Sequence, residues 1–141
     1  MGFGSWLANR RRKKAERIKR IYLELLAEFL EVYNALKQQF YELKEIIFKR
    51  LSNKEVFAKR DEFYGTYQQF LELLESLISI NGRWKNIDSK MAFIFGSGVT
   101  YLMKYHNNFD YDKALETLNT MEPKLREIES LISSLRLSAV A

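Results

Sequence analysis

The chain has no cysteine, which removes disulfides, thiolate metal sites and a cysteine nucleophile and gives no sign of a secreted disulfide scaffold. One proline and six glycines in 141 residues leave few breakpoints, so a few long elements are expected, which favours helix over sheet. A single histidine, His106, cannot supply an HExxH zinc site or the paired Glu-x-x-His motifs of a di-iron bundle. It reads instead as a residue at a loop or helix end. No run approaches the roughly 20 apolar residues of a membrane span. The residues after the N-terminal charges form an amphipathic, Glu-rich pattern rather than the apolar core of a signal peptide. Gly2 starts a segment similar to an N-myristoylation site, but Trp6 stands where that motif needs Ser or Thr. An intracellular or virion-interior setting is expected. No catalytic residue, cofactor or metal is expected, and the chain reads as non-enzymatic.

Positive charge is present, and it is concentrated. Arg10, Arg11, Arg12, Lys13, Lys14, Arg17, Lys19 and Arg20 fall in the first 20 residues with only Glu16 to oppose them, giving that segment +7 and leaving −2 for the rest of a +5 chain. A near-neutral body with a cationic end implies an anionic partner.

Apolar residues set the organisation. Ala15, Ile18, Tyr22, Leu25, Phe29, Leu36, Phe40, Leu43, Ile47 and Leu51 recur at helical steps, predicting a first helix from about Trp6 to Leu51. Continued backwards, this stripe meets Arg11 and Lys14, which are too costly to bury unpaired. Residues 1–14 are therefore expected to leave the body as a basic N-terminal extension, with 15–141 forming the bundle domain. Ser52-Asn53-Lys54-Glu55 has capping-box spacing and opens a second helix with Val56, Phe63, Tyr67, Phe70, Leu74, Leu77 and Ile78 inward. Asn81-Gly82 reads as its left-handed stop, and Gly65 within it as a close backbone approach. A third helix is expected from Asp88 or Ser89 to about Tyr105, with Met91, Ile94, Phe95, Val99, Leu102 and Met103 apolar. A fourth starts at Asp110 or Asp112 and runs past Leu135, with a kink or fresh start at Pro123. The tail Leu137–Ala141 is weakly patterned. The fold class is all-α: a four-helix bundle with a long first helix and a protruding basic N-terminal extension.

Gly96-Ser97-Gly98 lacks the Lys-Ser/Thr and the flanking strand of a phosphate loop, so it reads as a close helix crossing. Tyr111-Asp112-Lys113-Ala114-Leu115, followed by Pro123, resembles the second helix of a tetratricopeptide repeat. With no second copy to stack on, that likeness implies shared helix-pair packing and no solenoid.

Three aromatics lie off the stripes. Phe3 and Trp6, with Leu7, adjoin the basic block and suit a partner chain, stacked bases or a membrane interface. Trp84, between Arg83 and Lys85, either forms a second basic-aromatic cluster or folds over the bundle end. The preferred function is sequence-independent binding of nucleic acid, coating or packaging DNA as a viral or chromatin-like structural protein does, with assembly into a homo-oligomer as a further expectation. An anionic membrane and an acidic protein surface are the alternative partners.

Overall fold

The computed structural model describes residues 2–140; Met1 and Ala141, the outer ends of the two expected segments, lie outside the described residues. Four helices account for the architecture, with no strand among those residues. The first, α1, is a single helix over Phe3–Phe48. The second, α2, spans Asn53–Ile80. The third, α3, occupies residues 82–102 and changes pitch along its length: a 3-10 turn at Gly82–Trp84, α at Lys85–Lys90, π at Met91–Phe95 and α again at Gly96–Leu102. The last, α4, spans Tyr111–Val140.

Cross-helix ion pairs give the topology. Lys59 meets Glu42, so α2 runs back along α1. Lys37 meets Glu129 and Lys44 meets Glu122, so α4 is antiparallel to α1 as well. Lys90 meets Glu127 and Gly98 packs on Met121, which sets α3 against α4 in the opposite sense. The result is an up-down-up-down bundle. Its core is aromatic: Phe29 lies 4.8 Å from Phe70 and 5.3 Å from Trp84 by ring centroid, and Phe95 lies 5.7 Å from Tyr67. Each such fully buried ring is worth on the order of 2–3 kcal/mol.

Local chemistry accounts for the boundaries. Ser52 accepts a hydrogen bond from the Glu55 amide at 3.3 Å, as the capping box requires. α1 ends three residues short of Leu51, because Arg50 takes a left-handed φ of 53°. The Arg50 and Leu51 amides then bond back to the Ile47 and Ile46 carbonyls, the Schellman pattern. The expected stop at Asn81-Gly82 is different in kind: Asn81 is extended, and its side chain accepts from the Arg83 amide, so it starts the next element instead of ending the last one left-handed. α3 accordingly begins before Asp88 and ends at Leu102. Asp110 caps α4, accepting from the Lys113 amide at 3.1 Å. That helix continues through Pro123 without a fresh start, and the residues after Leu137 extend it to Val140.

Glycines follow packing at two positions. A Cβ on Gly96 would sit 2.9 Å from the Met91 carbonyl, the acceptor of the π-turn bond from its own amide. A Cβ on Gly98 would overlap the Met121 side chain, confirming a close helix crossing there. Gly65 does not mark one: its Cβ would meet open space on an exposed face. Replacing Gly65 by Ala should therefore stabilise the protein by about 1 kcal/mol, raising the thermal midpoint by roughly 3 °C in a calorimetric scan.

Hydrogen bonding from Lys44 holds the Glu122 carboxyl below the ordinary carboxylate range, and Lys59 does the same for Glu42. A depressed folded-state value stabilises fully above the unfolded carboxylate range and is lost as pH falls through the folded value. A Lys44→Met variant should be less stable than the parent near neutrality, and urea titrations should show that difference shrinking as pH drops below about 4.

Candidate nucleic-acid interface

α2 is 28 residues long and begins beside the end of α1. Matched residue for residue, it covers α1 back to about residue 21 and no further. Its far end marks the same point, where Trp84 Nε1 donates to the Tyr22 hydroxyl at 2.7 Å. Tyr22 is the first buried residue of α1. Everything from Phe3 to Ile21 is exposed, apart from Leu7, which is half-buried. The stripe residues Ala15 and Ile18 were expected in the core and are not; Ile18 is 45% exposed. They continue the apolar side of the helix past the last helix able to cover it.

All eight cations of the basic block lie on this uncovered length, which rises about 1.5 Å per residue. None of them forms an ion pair among the described residues, whereas eight of the fifteen cations of the body do: Lys37, Lys44, Lys49, Arg50, Lys59, Arg60, Lys90 and Lys124. At 100° per residue Trp6, Arg10, Lys13, Arg17 and Arg20 fall within about 80° of arc, on the side away from the core stripe. Arg11, Arg12, Lys14 and Lys19 cover the remaining directions, so the helix is basic all round. Its first turn carries no acidic residue, and the unpaired amides there add their own positive potential.

The aromatic expectation divides. Phe3 and Trp6 are 75% and 54% exposed. Their rings stack at 5.8 Å, and the Arg10 guanidinium lies 5.4 Å from the Trp6 ring. Trp84 is fully buried, T-shaped against Phe29, so it cannot serve a surface cluster. Arg83 and Lys85 on either side of it are exposed. The bond from Trp84 to Tyr22 sets them at the end of the bundle where the basic helix departs.

His106 is an exposed loop residue between α3 and α4. No group of three His, Cys, Asp or Glu side chains among the described residues is placed to hold a metal, and no helix among them is long and apolar enough to cross a membrane. Arg60 is the polar residue that sequence reasoning missed. It is 8% exposed, donates to the Leu102 and Tyr105 carbonyls at 3.3 and 2.5 Å, and lies over the Phe57 ring. The gap between Val56 and Phe63 in the apolar pattern was its only trace. Neither family models, nor curated proteins, nor solved structures match this chain.

Proposed function

We propose that the uncovered length of α1 binds duplex nucleic acid through phosphate contacts without reading sequence, and that the bundle is a non-enzymatic structural body for coating or packaging it. The observation that carries this is that eight clustered cations, on a helix clear of the core, have no carboxylate partner among the described residues. Such cations displace condensed counterions when they meet a phosphate backbone, and the released ions drive binding. A helix basic in every direction can lie along or between strands, and Arg side chains that differ only in direction offer no base-reading constellation. The remainder of the chain, at −2, contributes no attraction of its own.

A membrane reading draws on Phe3 and Trp6, whose exposed stacked rings beside arginines suit an anionic interface. Tryptophan fluorescence separates the two readings. Trp84 is buried and constant, so any change reports Trp6. DNA fragments of unrelated sequence should be retarded equally by the full chain in a mobility-shift assay, and a variant lacking residues 2–20 should retard none. A blue shift with anionic vesicles together with no retardation of DNA would overturn the nucleic-acid reading.

A further inference from the structure

The acidic residues that follow the basic block lie on the same line of α1. Glu24, Glu28 and Glu31 are exposed, form no ion pair among the described residues, and fall in the same arc as Trp6, Arg10, Lys13 and Arg17. Their spacing matters. From Arg10 to Lys13 to Arg17 the steps are three then four; from Glu24 to Glu28 to Glu31 they are four then three. One pattern is the mirror of the other with the charge reversed.

Mirror spacing is what an antiparallel pairing of a helix with itself demands, because a twofold axis makes the residue numbers of every facing pair add to one total. Here a single register satisfies all three positions: Arg10 faces Glu31, Lys13 faces Glu28 and Arg17 faces Glu24, with each pair occurring twice. The axis then passes between Arg20 and Ile21. Ile21, 46% exposed, supplies an apolar contact beside it. The same register sets the exposed Trp6 ring over Ala35, a small, half-buried residue in the same arc. A parallel pairing would set like charges together.

We infer that α1 docks antiparallel on α1 of a second copy of this chain, in the register Arg10–Glu31, Lys13–Glu28 and Arg17–Glu24. Complementarity lies within one sequence and is symmetric, so the partner that fits is the chain itself. Arg11, Arg12, Lys14 and Lys19 lie off this face and stay open to phosphate, so the pairing does not depend on the nucleic-acid reading.

Charge reversal tests it on the full chain by sedimentation at low salt without DNA. The parent should be a dimer that weakens as salt is raised. Changing Glu24, Glu28 and Glu31 together to Arg, or Arg10, Lys13 and Arg17 together to Glu, should each raise the dissociation constant more than about tenfold, since like charges then face each other. All six sites are exposed, and circular dichroism checks that helix content is kept. Mixing the two variants should restore a one-to-one dimer, because every facing pair is again opposite in sign. The cysteine-free background gives the register directly: Arg20→Cys should form a disulfide dimer, whereas Arg10→Cys should not, and Lys13→Cys should cross-link to Glu28→Cys. A monomeric parent at low salt, failure of the mixture to pair, or growth into open polymers would each overturn the inference. Loss of the dimer in the Glu-to-Arg variant with DNA retardation intact would leave the nucleic-acid reading standing by itself.

Discussion

Truncating Arg60 to Ala should destabilise the protein by about 2–4 kcal/mol, lowering the thermal midpoint by roughly 10 °C. The guanidinium is almost fully buried and serves two acceptors, the Leu102 carbonyl at the end of α3 and the Tyr105 carbonyl just beyond it. The last carbonyls of a helix have no partner within it, so Arg60 supplies from α2 the donors that α3 lacks. Its Nε also reaches Asp61 at 3.1 Å, and its carbon lies 4.5 Å from the Phe57 ring centroid. Truncation leaves buried carbonyls unsatisfied and opens space beside Phe57, which is costlier than the net value of the bonds. It also frees the connection carrying Tyr105 and Phe109, whose rings pack 4.8 Å apart. Arg60→Lys keeps the charge but not the fork, and should recover only part of the loss. Urea unfolding of the three proteins checks this. A change under about 0.5 kcal/mol for the Ala variant would place it among ordinary surface substitutions and remove Arg60 from the bundle's supports.

Arg60 also shows how much of this molecule was legible beforehand. Helix class, number and inward faces follow from period and capping chemistry, and Ser52, Phe29, Phe70 and Asp110 do what their patterns implied. Period does not say whether a partner exists. Ala15 and Ile18 continue a sound apolar stripe on a length of α1 that no other helix among the described residues reaches, so the first buried residue of α1 is Tyr22 and not Ala15. That boundary was available in the sequence, since a second helix bounded by Ser52 and Asn81 is too short to cover the first. Asn81 and Trp84 were harder. Asn can end a helix or begin a turn, and only the packing of Trp84 on Tyr22 and Phe29 decides which. A buried arginine is harder still, because its acceptors lie on the other side of a connection and leave no local signal. The basic block is explicit in the sequence, but its chemistry depends on what else faces the same direction. Mirror spacing between residues 10–17 and 24–31 becomes meaningful only once α1 is known to run unbroken through both.

Raising salt from about 50 to 200 mM should weaken binding of the full chain to duplex DNA about 250- to 1,000-fold, the largest effect expected of this protein. Eight cations surround the uncovered helix, and a rod seated in a groove or between strands turns most, but not all, of its circumference to the phosphates. Roughly five contacts at a time give a slope of log affinity against log salt near −4 to −5. Replacing Arg10, Arg11 and Arg12 together by Ala should flatten that slope by about 2 where Arg10 faces Glu31 of a second copy and by about 3 where it does not, since each phosphate contact contributes close to 1. The size of the change carries geometry. These three side chains point in different directions around the axis, so a helix resting flat on the duplex would lose about one contact, while a helix held between strands or in a groove would lose nearly all three. Affinity should be equal for unrelated sequences before and after the change, because phosphate contacts position a protein without reading bases. Stability should move by less than about 0.5 kcal/mol, as none of the three side chains touches the core. Binding that ignores salt, or that is confined to one DNA sequence, would refute the phosphate mechanism and shift the cationic helix toward an acidic protein face.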